Sequence, residues 1–166
     1  MLMLALPAQA SSFTSVSEAK VGEHDLTGMW RIDLAHSQEP KPQYVDVLRA
    51  EMEGDSSGGV WFLPGVFRIG TSDNGLALSD STGTILQVVM YMEVAEGDGG
   101  RMPPRFYGTW KHDRLMVVRP GRTGTMLKQT FSLENKASRL VVTTKMHREG
   151  ASDFQVKRVY VRAPAA

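Results

Sequence analysis

From Arg105 to Arg162 the chain reads RFYGTWKHDRLMVVRPGRTGTMLKQTFSLENKASRLVVTTKMHREGASDFQVKRVYVR. Short runs with period-two alternation, Arg105–Lys111, Leu115–Arg119, Thr125–Leu133, Leu140–Met146 and Phe154–Arg162, are parted by turn residues at His112–Arg114, Pro120–Gly124, Glu134–Ser138 and Glu149–Ser152. Alternation at period two puts every second side chain on one face, as a half-buried strand requires. In this register Leu127, Phe131 and Leu133 share a face, as do Leu140, Val142 and Met146. Strands following one another through short turns form a meander of hairpins.

The same rhythm extends toward the N-terminus. Glu96–Pro104 is a Gly- and Pro-rich loop, and Thr84–Val94 is the longest apolar run, with Leu86, Val88, Met90 and Met92 on one face. Asp73-Asn74-Gly75 is a turn, because Asn and Gly accept positive φ. Val60–Phe62 and Val66–Ile69 are separated by Pro64-Gly65, which forbids one continuous central strand. Within Tyr44–Glu53, Val45, Leu48 and Met52 also fit a helical stripe, but Pro40, Pro42 and Gly54 leave about ten residues and the alternation of Val45, Asp46 and Val47 favours a strand. In Thr27–Leu34, Trp30, Ile32 and Leu34 share one face and Arg31 and Asp33 the other. The expectation is an all-β, antiparallel up-and-down barrel of about eight to ten strands; without strand–helix alternation a parallel βαβ sheet is excluded.

Composition sets the frame. The chain has 166 residues, 42% hydrophobic and 22% charged, which suits one globular domain with a real core. There is no cysteine, so disulfides, thiolate metal sites and cysteine nucleophiles are excluded. The opening MLMLALPAQA ends in an A-x-A pattern, read as the end of a secretory leader over residues 1–10. Residues 11–25 are a polar lead-in, and residues 26–163 form the domain of a secreted or periplasmic protein. No stretch approaches the ~20 apolar residues of a helical membrane span.

Order and spacing of several weak motifs carry a family resemblance. Gly28–Ser37, GMWRIDLAHS, resembles the opening G-x-W-x-[LI]-[DN]-x-x-x-S of bacterial secreted lipocalin-like proteins of unknown function. Trp110-Lys111-His112-Asp113-Arg114-Leu115 matches their W-x-x-D-x-L, Thr130–Leu133 their T-F-S-L strand, and Lys157–Arg162 their closing K-R-V-Y-x-R. The turn after T-F-S-L departs from the usual Asp-Gly. The resemblance implies a small antiparallel barrel and no particular activity. It also implies that Trp30 closes one barrel end beneath an Arg of the last strand, Arg158 or Arg162. An Arg158→Ala change is then expected to lower the melting temperature and leave ligand affinity intact.

Catalytic motifs are scarce. His24, His36, His112 and His147 form no spaced metal pair, so no metal site and no cofactor are expected. H-E-x-x-H, G-x-S-x-G and G-x-G-x-x-G are absent, and Arg119–Thr125 lacks the spacing of a phosphate loop. Glu93 and Asp113 are the carboxylates nearest pocket positions, with nothing to bring them together.

Charge is segregated. Residues 1–98 carry 14 carboxylates against 5 Lys and Arg, whereas residues 99–166 carry 14 Lys and Arg against 4 carboxylates. In a closed meander, early acidic strands meet late basic ones where first and last strands pair. A local cationic excess remains between Arg101 and Arg122, interleaved with Phe106, Tyr107 and Trp110. Alternation puts Arg105, Tyr107 and Lys111 opposite in face to Phe106 and Trp110, which argues against a nucleic-acid surface. The leading expectation is a non-enzymatic barrel binding a small apolar or amphipathic, anionic molecule through Met90, Met92, Arg101, Arg105, Trp110, Arg119 and Phe131, with Met side chains adapting to its shape. An isomerase- or cyclase-type barrel enzyme using Tyr91 or Glu93 and a structural, partner-binding module are the rival readings.

Overall fold

The alternation that runs through the chain closes on itself in the computed structural model, which describes residues 25–52, 62–72, 75–90, 107–120, 124–150 and 152–164. Nine strands lie in chain order around the barrel: β1 (Gly28–Ile32), β2 (Val66–Ser72), β3 (Gly75–Asp80), β4 (Gly83–Met90), β5 (Tyr107–Lys111), β6 (Arg114–Pro120), β7 (Met126–Glu134), β8 (Arg139–His147) and β9 (Phe154–Arg162). Neighbours are antiparallel throughout except β4 and β5, which run parallel over the pairs Val89 with Tyr107 and Met90 with Gly108. A parallel step needs a crossover instead of a tight turn, and 16 residues, 91–106, separate these strands. The expected barrel is therefore present, up-and-down apart from this one step. The leader over 1–10 and the lead-in up to His24 lie outside the described residues. No described helix is long and apolar enough to cross a membrane.

Three local expectations are corrected. Tyr44–Glu53 is not a strand: Pro42–Met52 forms helix α1. Pro42 opens the helix, where its missing N–H and fixed φ are no cost. Tyr44, Val47 and Leu48, at the i, i+3, i+4 spacing of one helical face, pack against Leu127, Met146, Phe154 and Val156. Tyr44 stacks on Phe154 with ring centroids 4.1 Å apart, and that tertiary burial outweighs the short alternation. Leu34 does not continue the Trp30 face; it sits in a 3-10 turn, Leu34–His36, and is 68% exposed. A strand not read separately, β3, pairs with both neighbours. It reaches β4 through a turn in which Asp80 Oδ1 accepts hydrogen bonds from the backbone and hydroxyl of Thr82. Of the expected run Val60–Phe62, only Phe62 is described, and it lies in a bend.

Closure depends on β1 meeting β9, in the register Trp30 with Arg162 and Ile32 with Tyr160. Trp30 is fully buried and its indole Nε1 donates to Leu26 O at 2.9 Å. The Arg162 guanidinium lies 4.6 Å from the Trp30 ring centroid. Its nitrogens donate to Ala137 O (2.8 Å), Thr27 O (2.6 Å) and Asp25 O (2.9 Å). Of the two arginines that the family resemblance offered for this role, Arg162 takes it. Arg158 lies elsewhere, donating from Nη1 to Leu63 O at 2.7 Å with its guanidinium 5.5 Å from the Phe62 ring.

Arg162 also explains Gly28, the first residue of the G-x-W motif. Gly28 has φ of +126°, and a Cβ there would lie 2.7 Å from Arg162 Nη1. On the other flank, Asn135, Lys136 and Ala137 all adopt positive φ in the β7–β8 turn, an unfavourable conformation for residues with a side chain. Arg162 holds that turn through Ala137 O, and Arg162 N donates to Ser138 O at 3.1 Å. The segregated charge meets at the same seam: early Asp33 lies 3.6 Å from late Arg139, and the Arg162 charge helps hold early Asp25 below the usual carboxylate range, after the larger effect of its hydrogen bond from the Thr27 hydroxyl.

An Arg162→Ala variant is expected to lose about 2 kcal/mol of stability, the order of one cation–π contact plus charge-assisted hydrogen bonds discounted for exposure. Thermal unfolding measures it, and a melting temperature equal to that of the wild type would contradict the role given to Arg162.

Candidate functional site

Inside the barrel, alternation selects what each strand contributes. β6 points Leu115, Val117 and Arg119 inward, and all three are at most 1% exposed. β7 contributes Leu127, Gln129 and Phe131; β8 contributes Leu140, Val142, Thr144 and Met146. β9 adds Phe154, Val156, Arg158 and Tyr160. The apolar members fall into two clusters. One, toward the Trp30 end, holds Phe67, Val117, Phe131, Val142 and Tyr160 among others. The second gathers Leu127, Met146, Phe154 and Val156 under Leu48 of α1.

A polar layer separates them. Gln129 and Thr144 face each other across β7 and β8, with Gln129 Nε2 3.4 Å from Thr144 Oγ1. Arg119 is opposite Leu127, which makes it diagonal to Gln129 on one side and to Thr125 on the other, about 7–8 Å by strand geometry. Val156 is the β9 residue opposite Thr144, and Arg158, opposite Val142, lies one inward position farther along β9, beside the first apolar cluster. Thr125, Gln129 and Thr144 are each 3% exposed or less. The hydroxyl of Thr125 and Nε of Arg158 are buried and have no hydrogen-bond partner among the described residues.

Taking a guanidinium and three neutral polar groups out of water carries a desolvation cost that apolar residues of similar volume avoid. Arginine suits such a place better than lysine, because its delocalised charge is weakly hydrated and its planar donors engage carboxylate, sulfate or phosphate two at a time. The layer is therefore chemically equipped to bind an anion's oxygens, with apolar surface on both sides for a hydrocarbon portion. The inward rows of β6–β9 offer guanidinium, amide and hydroxyl groups but no carboxylate.

The candidate residues fall as follows. Arg119 and Phe131 lie within the barrel, Arg119 buried in the polar layer instead of exposed at a mouth. Met90 is half-buried against the first apolar cluster. Trp110 is opposite Leu115, which places it on the inward face, yet it stands at the β5–β6 rim and is 38% exposed. Met92, Arg101 and Arg105 lie outside the described residues, as do Tyr91, Glu93 and His24. Asp113 is exposed on the β5–β6 turn, 3.9 Å from Arg114.

Gln129 and Thr144 were not among the sequence candidates, although a signal for them exists. Each is a polar residue at an inward position, between Leu127 and Phe131 and between Val142 and Met146. Among the described residues no group of three metal-ligating side chains occurs; His36 and His147 are instead engaged by Asp33 and Asp153, each at 2.7 Å.

In comparisons with known proteins, no family model, no curated protein and no solved structure matches the chain.

Below the polar layer, Tyr160 donates its phenol to Leu63 O at 3.1 Å. Burial pushes its pKa above the ordinary 10.0, against a smaller opposing effect of Arg158. The unfolded chain therefore ionises first, so the contribution of Tyr160 is intact below about pH 10 and is lost as pH rises through the higher folded value. In thermal melts from pH 8 to 11.5, Tyr160→Phe should show a shallower alkaline loss of stability than the wild type. Equal slopes would show that Tyr160 does not control the alkaline limit.

Proposed function

We propose that this chain is a lipocalin-like binding protein of the cell envelope or exterior, which holds a small amphipathic anion inside its barrel and performs no chemistry on it. The observation that carries the reading is the buried polar set of Arg119, Thr125, Gln129 and Thr144 between two apolar clusters. A carboxylate, sulfate or phosphate head accepts hydrogen bonds from this layer, the Thr125 hydroxyl providing a donor without a partner among the described residues. The apolar tail lies toward Met90 and Phe131, where an adaptable thioether and an aromatic ring supply contact area without fixing chain length.

The absence of a carboxylate from the inward rows of β6–β9 weighs against the isomerase or cyclase reading, since general acid–base work on those rows lacks its usual base. A buried arginine among neutral polar groups in the interior weighs against a purely structural module.

Solvent extraction of the purified protein followed by mass spectrometry should release an anionic amphiphile. In titrations with laurate and with dodecanol as its uncharged counterpart, Arg119→Leu should weaken laurate binding at least about tenfold, the equivalent of one charge-assisted contact, and change dodecanol binding little. Arg119→Lys should recover part of the laurate affinity. Binding of neither probe by the wild type, or equal loss of both in Arg119→Leu, would overturn the proposal.

A further inference from the structure

The outer wall of the same strands has an opposite logic. Side chains facing away from the barrel on β7 and β8 are paired directly across the ladder, and at one end Glu134 faces Arg139, the complementary arrangement expected of an exposed sheet. Farther along the same ladder Lys128 faces Lys145. Lys145 in turn faces Gln155 on β9, which places Lys157, two residues on, diagonal to it. Lys128 is half-buried, Lys145 and Lys157 are exposed, and none of the three has a carboxylate partner among the described residues. Like charges directly opposite in a sheet cost stability. A second cationic pair, Lys111 and Arg114, faces across the β5–β6 hairpin.

Two recesses join these pairs. One, of about 530 Å³, is lined by Lys111, Arg114, Met116 and Lys128. The other, of about 340 Å³, is lined by Lys128, Lys145, Met126 and Phe154. They share Lys128 as a lining residue, so the two recesses adjoin on the outer wall, with cations at both levels, and are taken together as one trough. Ser132, the β7 partner of Arg114, and Lys128 are four residues apart along β7, about 13 Å at the rise of a strand. Two acids also line the trough, Asp113, 3.9 Å from Arg114, and Asp153, 2.7 Å from His147, so Lys111, Lys128 and Lys145 are its cations without a carboxylate partner among the described residues.

We infer that this outer trough is a binding site for a linear acidic polysaccharide, separate from the barrel interior. Charge complementarity names the sign of the occupant. The spacing of the cation pairs requires anionic groups that repeat along a chain. Met116 and Met126 offer apolar surface to the C–H faces of sugar rings, and Thr130 and Gln155, which also line the trough, can bond hydroxyls. A flat lipid surface meets the exposed Lys145 and Lys157 but does not enter the recesses.

The test uses the intact chain with three probes: size-defined heparin fragments, alginate fragments, and vesicles containing phosphatidylglycerol. Heparin and alginate should bind the wild type, and Lys128→Glu and Lys145→Glu should each weaken binding about tenfold or more. Both variants should also melt about 2 °C higher than the wild type, because each replaces a repulsive cross-strand pair by an attractive one. Arg68→Glu, the same charge change on the outward face of β2, should leave glycan binding within about twofold of the wild type. Equal losses in Arg68→Glu and the lysine variants, vesicle binding without glycan binding, or a fall in melting temperature in both lysine variants would each overturn the inference.

Discussion

The guanidinium of Arg162 holds the barrel shut. A meander of hairpins forms locally, strand after strand, but a barrel needs its last strand to find its first, and that contact spans nearly the whole described chain. Loop-closure entropy works against it. One side chain answers by lying over Trp30 and donating to three backbone carbonyls on both flanks of the seam. Gly28 is glycine so that this guanidinium has room, and the left-handed turn Asn135–Ala137 is tied down by it. Weak sequence motifs at the two ends of the chain thus describe the two sides of a single contact.

Much of the barrel was legible because period two is a strong signal when repeated. The strands from Leu115 to Arg162 alternate cleanly between hard turns, and their boundaries fall within a residue or two of those expected. The failures occur where local pattern and tertiary burial diverge. Val45-Asp46-Val47 alternates, but the barrel end needs an apolar cover, and Tyr44, Val47 and Leu48 provide one only as a helix. β3 is short and diluted by Gly75, Ala77 and Ser79, so its two leucines made no visible run. Leu34 fits the Trp30 face on paper, yet the chain leaves the sheet at Asp33, whose carboxylate is bound to His36 and held below the usual range chiefly by that hydrogen bond.

The candidate site was half-legible for a related reason. Arg119 drew attention as a charge and Phe131 as an aromatic on an apolar face. Gln129 and Thr144 drew none, because neutral polar residues in strands normally face water. Alternation already puts them on the face of Leu127 and Phe131 and of Val142 and Met146, but which face is the interior is settled only by pairings, which sequence pattern fixes weakly when both faces are partly apolar. The outer trough lay beyond sequence reading altogether, since Lys128 and Lys145 are 17 positions apart in the chain and become opposed only through pairing.

The seam between β1 and β9 has a mechanical meaning as well. Because these strands are antiparallel, the start of β1 and the end of β9 leave the barrel at the same edge, with Ala163 N bonded to Met29 O. Tension applied through the two chain ends loads the ladder one rung at a time, beginning at Arg162, so it peels and does not shear. The same proximity means that a new peptide bond between the ends, with cuts in an exposed hairpin turn such as His112–Asp113, would leave every strand with its present neighbours, and the chain's linear order is incidental to its cylinder.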